Sequence, residues 1–321
     1  LLAFGTGALR FVSYFKKGDM IVATESRENA NFNAKSYMWA NPRYKDINSL
    51  SNTPWTNIEA ILALTPVPEV IIACDYDDGK AEQLSTMVDA GIAVVIIHEL
   101  QSPFDTKFPI QLRLIGKVFG EETRAEQLLT YINGLKADLA NRVKNITDRP
   151  TAYIAATSYA GTRPFTFSTS KYDPFDLINV HNIITSEMTG GSEIPKDFAF
   201  EEITALQPNY VFIDATGYIN VKGDYTNDPT KYAALNAFDA SNWTVYMSMP
   251  FIWYGVNFDN IFVSAYQIGK VLYPAEFNDI NMTAKANEIY QEFVGKACYE
   301  DIDGWYVEKR GTHIEGIASF A

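Results

Sequence analysis

The chain has 321 residues, with 26 Lys or Arg and 39 Asp or Glu, so its formal net charge is −13. Nucleic-acid phosphates are bound by clustered basic side chains, and this acidic balance therefore excludes a nucleic-acid partner. Hydrophobic residues make up 47% of the chain, which is typical of a folded globular protein, and the length predicts two domains. Because no run of 18 apolar residues occurs, the sequence predicts no membrane-spanning helix.

The first part of the chain predicts strands and helices in alternation. Residues 1–4 and 21–23 are typical of short strands, and residues 70–73 and 92–97 are apolar, β-branched runs typical of buried parallel strands. Residues 80–90 predict a helix between the last two. This order predicts a parallel sheet that is covered by helices.

A long helical pattern follows, over residues 121–144, between Gly120 and Pro150. At the rise of an α-helix its length would be roughly 36 Å, enough to cross from one domain to another. The alternation then restarts. Strands are predicted at 151–156, 210–213 and 244–246, a helix at 260–272 with Asp259 as its N-cap, and a last helix at about 283–293.

An internal repeat is the most informative feature. Residues 58–66 and 200–208 each predict a short helix that is stopped by proline and followed by a buried strand. When the two prolines are aligned, Glu59 matches Glu201 and Ile61 matches Ile203, at an offset of 208 − 66 = 142 residues. A helix followed by proline and a strand is also a common way to enter a sheet. However, one copy in each half, with the long helix between, predicts two similar lobes.

Three further stretches support a specific resemblance: residues 7–22, residues 171–183, and residues 253–274 with their Trp-Tyr-Gly-Val-Asn-Phe-Asp-Asn start. With the repeat, they cover most of the chain and resemble the helix-linked (class III) periplasmic binding proteins of iron–siderophore, haem and vitamin B12 ABC importers. The resemblance implies two Rossmann-like α/β lobes with mostly parallel sheets, joined by one long helix. The expected division is a first lobe at 1–119, a linking helix at 120–149 and a second lobe at 150–321.

The resemblance also implies a function without catalysis. The expected protein is an extracytoplasmic, monomeric receptor that captures a metal chelate between its lobes and delivers it to an ABC permease dimer. A ferric siderophore is expected first, and haem or a corrinoid next. In this family one carboxylate per lobe docks on permease arginines, and these would be Glu59 and Glu201, with Glu202 as an adjacent candidate. The alternative role for such carboxylates is to stabilise a helix N-terminus.

The ligand is expected at the loops that follow the carboxyl ends of the strands. Aromatic side chains and one arginine in these loops suit a bulky planar or catecholate chelate. The candidates are Tyr76, Tyr159, Arg163, Trp253 and Tyr254, with Trp39 in a less certain loop. The alternative for each aromatic residue is ordinary core packing.

A free-metal receptor is the nearest rival. The three histidines, His98, His181 and His313, include no pair with metal-ligand spacing, so no metal site is predicted. His98 is expected at the end of a buried strand, His181 in a turn and His313 in the tail. The acidic loop at residues 75–78 lacks the ligand pattern of a calcium loop, and we expect it to cap the following helix.

The two cysteines, Cys74 and Cys298, are too few for a disulfide framework or a Cys-rich zinc site. A single bridge is possible, but burial of Cys74 at the end of a strand is the better interpretation. Enzyme motifs are missing: Gly5-x-Gly7 is followed by Arg10 where a dinucleotide fingerprint needs a third glycine. No cofactor is therefore expected, and a tetrapyrrole metal chelatase-like enzyme is the remote alternative.

Overall fold

The computed structural model of the chain describes residues 1–51 and 54–320. In this part of the chain the fold is α/β, as predicted, because short parallel strands alternate with helices. The strands are β1 (Leu2–Phe4), β2 (Ala23–Glu25), β3 (Asn48–Leu50), β4 (Val70–Ala73), β5 (Ala93–Ile96), β6 (Thr151–Ala155), β7 (Phe167–Ser168), β8 (His181–Asn182), β9 (Lys196–Asp197), β10 (Tyr210–Asp214) and β11 (Val245–Ser248). The helices are α1 (Ala8–Tyr14), α2 (Ser26–Asn29), α3 (Ser36–Ala40), α4 (Ile58–Leu62), α5 (Ala81–Asp89), α6 (Lys107–Phe119), α7 (Glu122–Val143), α8 (Asp173–Leu177), α9 (Ser186–Thr189), α10 (Phe200–Leu206), α11 (Tyr218–Asn227), α12 (Pro229–Tyr232), α13 (Phe258–Leu272), α14 (Met282–Val294) and α15 (Tyr299–Arg310).

The described chain forms two compact units. The first contains Leu1–Tyr131, Tyr254–Val256 and Tyr290–Cys298, and the second contains Ile132–Trp253, Asn257–Ile289 and Tyr299–Ala321. Helix α7 supplies residues to both units and runs within one residue of its predicted bounds at each end. The predicted division at residues 119/120 and 149/150 stays a prediction.

The sheet of the first unit has the strand order β1-β4-β5, and all its strands are parallel. Strand β2 lies beside β1, where the Val22 N–H donates to Leu1 O at 3.0 Å, and β2 pairs with β3 in parallel. The core under this sheet contains Phe4, Ile71 and Trp55, together with Ile58 and Ile61 of α4. Helix α4 therefore forms because its apolar residues recur on one face, which the core covers.

Two expectations for this sheet need correction. The run at 92–97 was expected to be a buried strand, but β5 is an outer strand with Ala93 exposed and its other residues half-buried. A β-branched apolar run has the same pattern in an outer strand as in a central one. The strand expected at 21–23 begins only at Ala23, because a 3₁₀ turn over Gly18–Met20 precedes it.

The sheet of the second unit has the order β11-β10-β6-β8 and is also parallel. Its predicted strands are confirmed, and the predicted turn residue His181 instead starts the short strand β8, which pairs with Thr151. In both units the first strand pairs on one side with a central strand and then an outer one, in the orders β1-β4-β5 and β6-β10-β11, and another strand, β2 or β8, lies on its other side. The internal repeat in the sequence thus extends to the strand order of both sheets.

Two helix predictions were wrong in detail. Helix α13 starts at Phe258 with Asn257 as the N-cap, so Asp259 lies in its first turn and is not the cap. Helix α14 is not the last helix, because α15 follows it. Only Tyr299, Ile302 and Tyr306 of α15 are buried, and this narrow apolar face between charged residues gives a weak helical pattern in the sequence.

Candidate ligand-binding site

The carboxyl ends of β1 and β2 meet in the first unit. Strand β1 ends at Phe4, and Gly5 follows with φ +84. A Cβ on Gly5 would lie 2.8 Å from the carbonyl carbon of Cys74, so only glycine fits there. The Gly5 N–H donates to Glu25 Oε2 at 2.8 Å. The end of β2, which is Glu25, is thereby fixed beside the end of β1.

The end of β4 joins the same edge. Asp75 follows this strand with φ +61, and its Oδ2 accepts hydrogen bonds from Thr6 N (2.9 Å) and Thr6 Oγ1 (3.0 Å). Loops at the carboxyl ends of adjacent parallel strands are the usual ligand-binding edge of α/β sheets. The loops after β1, β2 and β4 therefore form the candidate site of the first unit.

Tyr254, one of the predicted ligand contacts, lies at this edge. Its hydroxyl donates to Glu25 Oε2 at 2.7 Å, and the Arg27 guanidinium lies 5.7 Å from the centre of its ring. Its backbone has φ +50, and its carbonyl accepts a hydrogen bond from Arg10 Nη2 at 3.4 Å. The ring is therefore held at one end by a carboxylate, with a cation beside its edge or face.

Buried charges support this edge from below. Arg10, Glu25, Glu28 and Lys35 are each exposed by 1% or less. Lys35 Nζ donates to the Glu28 carbonyl at 2.6 Å and lies 3.4 Å from Glu28 Oε2, while the Tyr37 hydroxyl donates to Glu28 Oε2 at 2.6 Å. Desolvation lowers the pKa of Lys35 to about 8. Each buried charge here has a partner, as burial of ions requires.

Glu25 has the most unusual environment of these residues. Burial, with smaller contributions from the nearby Glu28 and Asp75, raises its pKa to about 7 against the lowering effect of its hydrogen bonds from Tyr254 and Gly5. Burial and the neighbouring Glu25 also raise the pKa of the Tyr254 phenol far above its usual value. Tyr254 is therefore a neutral hydrogen-bond donor and not a phenolate.

The second unit gathers hydroxyl groups at the same edge of its sheet. Asp214, the last residue of β10, is fully buried and accepts hydrogen bonds from the N–H groups of Thr216 and Phe251, both at 2.9 Å. The Thr216 hydroxyl also donates to Asp214 and is paired with the Ser158 hydroxyl. Burial raises the pKa of Asp214 to about 7. Ala156, after β6, has φ +58, the left-handed conformation that Gly5 has after β1.

Three other predicted contacts also belong to the second unit. Tyr159 is 40% exposed, and its carbonyl accepts a hydrogen bond from Arg163 Nε at 2.6 Å. The Arg163 guanidinium lies 4.7 Å from the centre of the Phe167 ring. The structure thus brings Tyr159 and Arg163 together in the loop after β6, while half-buried Trp253 lies in the loop after β11.

Tyr76 and Trp39 are engaged in packing in the first unit. Tyr76 packs on Trp55 with ring centres 5.6 Å apart, and the Trp55 indole N–H donates to Cys74 O at 2.9 Å. Trp39, on α3, packs on Phe32 at 5.2 Å. Both rings are half-buried, so each keeps a surface that a ligand could contact, and their roles stay predictions.

The carboxylates expected to dock on the permease are exposed. Glu59 lies in the first turn of α4, where Asn57 supplies the N-cap and accepts from the Ala60 N–H at 3.3 Å. Glu201 and Glu202 lie in the first turn of α10. Glu202 Oε2 accepts a hydrogen bond from the Ala199 N–H at 2.7 Å. Glu202 is therefore the capping residue, which leaves Glu201 as the docking candidate.

The structure also shows whether the two cysteines are bridged or free. Cys74 and Cys298 are free thiols, and both are buried, so they form no disulfide bridge.

The acidic loop and the histidines were the other candidates for a metal site. Asp77 accepts from the Gly79 N–H at 2.9 Å and caps the following turn, as expected. His98 is exposed, and His313 Nδ1 lies 2.8 Å from Asp303. Among residues 1–51 and 54–320, no cluster of three His, Cys, Asp or Glu side chains could hold a metal ion.

Sequence reasoning missed Glu25 and Asp214. Each is the last residue of a strand, so the rule that ligand sites lie at strand ends could have identified both. The pairing of Glu25 with Tyr254, 229 residues away, has no signal in a single sequence.

Comparisons with known proteins agree with this architecture. The profile of the family described as "Periplasmic binding protein" matches residues 26–230. The molybdate-bound MolA protein of Haemophilus influenzae is similar in structure, with a TM-score of 0.68, 19% identity and 92% of each chain covered. The TroA-like protein FepB of Veillonella parvula has a TM-score of 0.64 at 16% identity, covering 92% of this chain and 91% of its own. CeuE of Helicobacter pylori with Ni(II) bound has a TM-score of 0.63 at 14% identity, covering 91% of this chain and 89% of its own. No curated protein matches the sequence.

The chain belongs to the periplasmic binding protein family, since the matched residues are well over half of it. The family recognised from the sequence is thereby confirmed, and the chain is a solute-binding protein of the ABC-importer class with an extracytoplasmic location. No helix within the described residues is long and apolar enough to cross a membrane.

Proposed function

We propose that the protein captures a metal chelate outside the cytoplasm and hands it to an ABC permease dimer, without making or breaking a bond. The observation that carries this proposal is the set of aromatic and hydrogen-bonding groups at the carboxyl ends of both sheets, with Tyr254 on Glu25 as the best-defined member. Rings in such a position suit a bulky ligand whose metal is already coordinated. A ferric siderophore is the first candidate, and haem or a corrinoid the next.

A chelate fits this edge better than a bare metal ion. A tyrosine that binds ferric iron directly must lose its proton, and the surroundings of Tyr254 raise the pKa of its phenol. The Glu25 carboxylate would have to give up the Tyr254 hydroxyl at the same time. The Ni(II) in the CeuE structure belongs to that protein, and a free-metal receptor is the alternative that the experiment below decides.

An oxyanion is a second candidate. The similar MolA protein has molybdate bound, and the hydroxyls of Ser158 and Thr216 at the ends of β6 and β10 are groups that hydrogen-bond oxyanions. Against this candidate, buried Asp214 accepts from the Thr216 hydroxyl, and a carboxylate beside an anion is repulsive.

The experiment is a tryptophan-fluorescence and thermal-shift screen of the purified protein. The panel contains ferric trihydroxamate and triscatecholate complexes, haemin, cobalamin, molybdate, and free iron, zinc and nickel. A coloured chelate bound near Trp253 should quench fluorescence, and ligand at about 100 times its Kd should stabilise the native state by about 2.7 kcal/mol. A response to chelates alone supports the proposal. A response only to free metal ions or only to molybdate would replace it with the corresponding alternative.

A further inference from the structure

The charge at the strand ends of the first unit indicates which chelates it takes. The loops after β4 and β5 contain four exposed carboxylates, namely Asp75, Asp77, Asp78 and Glu99. Lys80 is held by this acidic group, since its Nζ donates to Asp77 Oδ2 at 2.7 Å and to the Asp75 carbonyl. A second cation, the exposed Arg27 of α2 directly after β2, lies 5.7 Å from the centre of the Tyr254 ring. With these four carboxylates against two cations, the exposed surface of the described loops is net negative.

The buried basic residues do not offset this charge for a ligand. Arg10 is 1% exposed, and its Nη2 donates to the carbonyls of Tyr254 and Gly255 at 3.4 and 3.3 Å. Lys35 is fully buried, and its Nζ donates to the carbonyls of Glu28 and Ala30 at 2.6 and 3.2 Å. Both cations are thus directed at the protein itself.

A second, independent observation points to the ligand. Glu25 Oε2 accepts from Gly5 and Tyr254, but Glu25 Oε1 is buried and has no hydrogen-bond partner among the described residues. Native proteins pair nearly all buried polar atoms. An acceptor left open between the Gly5 loop and Tyr254 is suited to a donor that arrives with the ligand, such as an amide N–H or an ammonium group.

We propose that the strand ends of the first unit select chelates without net negative charge that present a hydrogen-bond donor to Glu25; this rests on the proposed function. A neutral or cationic hydroxamate-type complex with amide or amine groups has both properties. A ferric triscatecholate, which is a trianion, meets like charges from Asp75 and Glu99 and offers no amide donor from its metal-binding face. The carboxylates then act by rejecting the wrong ligands as well as by binding the right one.

The test is a charge series on one iron centre. The three probes are the ferric complexes of a linear trihydroxamate with a free terminal amine, its N-acetyl derivative and its N-succinyl derivative, which are cationic, neutral and anionic. Ferric triscatecholate and haemin are measured beside them. From Trp fluorescence titrations we expect affinity to fall from the cationic to the anionic probe by about tenfold, and the difference to shrink at high salt.

Variants assign the effect to residues. Glu99→Gln should reduce the difference in affinity between the cationic and the anionic probe. Glu25→Gln, which can turn an amide N–H toward the ligand, should lower the affinity for the amine and N-acetyl probes severalfold. The matched control is Glu69→Gln, because Glu69 is an exposed carboxylate just before the amino end of β4 and should leave the series unchanged. Thermal melts of each variant without ligand confirm that it folds.

The outcomes separate the two proposals. Chelate binding that is flat across the series, or tighter for the N-succinyl, triscatecholate or haemin complexes, overturns the inference and leaves the proposed function standing. Equal effects of Glu99→Gln and Glu69→Gln overturn it as well. Failure of every chelate to bind, with free metal or molybdate binding instead, overturns the proposed function and the inference together.

Discussion

The two units share an order of three parallel strands, β1-β4-β5 and β6-β10-β11, but their strand ends differ in chemistry. In the first unit a network of buried charges, Arg10, Glu25, Glu28 and Lys35, lies under the edge. In the second unit one buried carboxylate, Asp214, is surrounded by hydroxyl and backbone N–H groups. Gly5 and Ala156 have left-handed backbones at matching positions. The repeat therefore preserves the backbone that forms the edge, while the side chains on it have diverged.

This difference has an energetic meaning. Asp214 accepts from neutral donors, as Glu25 does, but the first unit also contains the buried ion pair of Lys35 and Glu28. Removing one member of a buried pair leaves the charge of the other without compensation. The first unit should accordingly be the more sensitive to single substitutions among these buried charges. The following predictions test this contrast, from the largest expected effect to the smallest.

Replacing the buried lysine should have the largest effect. Lys35→Met leaves the Glu28 carboxylate buried without its cation, and removing one partner of a buried pair costs about 3 kcal/mol or more. Urea denaturation followed by fluorescence measures the change in the free energy of unfolding. The control is Lys309→Met, because Lys309 pairs with Glu308 with both side chains more than half exposed, and a loss below about 0.5 kcal/mol is expected there. Equal losses would contradict the contrast.

The pH dependence of stability should distinguish the two carboxylates. The folded-state pKa values of Glu25 and Asp214 are both raised to about 7. A group with a raised pKa binds more protons in the native state than in the unfolded state. The stability that each carboxyl group contributes is therefore fully present below its unfolded-state pKa, and it is lost as the pH rises toward 7. Stability from these groups should therefore fall between about pH 5 and 7, by up to about 1.4 kcal/mol for each group as the pH rises by one.

Substitution assigns that slope to residues. Glu25→Gln and Asp214→Asn should each reduce it. Burial is the main cause of both raised pKa values, and buried charges are screened little by salt, so the slope should change little with ionic strength. The Tyr254 phenol that donates to Glu25 stays neutral in this range, because burial raises its pKa far above its usual value. A slope that neither substitution reduces would contradict this assignment.

The smallest effect on stability concerns neighbouring carboxylates of α10. Glu202→Ala removes the hydrogen bond to the Ala199 N–H and should lower the free energy of unfolding by about 0.5–1 kcal/mol, while Glu201→Ala should not change it measurably.

If Glu59 and Glu201 dock on the permease, ligand uptake should depend on Glu201 and not on Glu202. The Glu59→Ala, Glu201→Ala double variant should bind ligand normally and lose uptake, whereas normal uptake would contradict docking.

Much of the fold could be predicted from the sequence. Helix α7 and strands β6 and β10 have strong periodic or β-branched patterns between clear breakers, and the repeat indicated the common plan of both sheets. Helix α15 was missed because three buried residues among charged ones give little amphipathic signal. The exposure of β5 depends on which strand lies at the edge of the sheet, and this is a property of the whole topology.

The site was less predictable, for a physical reason. Tyr254 was identified because aromatic residues near strand ends are common ligand contacts, but its partner Glu25 lies 229 residues away. Tyr76 has the same local signal, yet it packs on Trp55. A single sequence indicates which side chains follow a strand. It does not indicate which of them the packing of other segments will cover.

The segment after α15 has a consequence for handling outside the cell. Ala318 N donates to Val245 O and Met247 N donates to Gly316 O, at 3.0 and 2.9 Å, and Phe320 stacks on Tyr225 at 4.7 Å. This segment covers the free edge of the outer strand β11. An uncovered edge strand is a template on which a second chain can add, and sealing it with the protein's own tail protects a secreted protein from edge-to-edge aggregation.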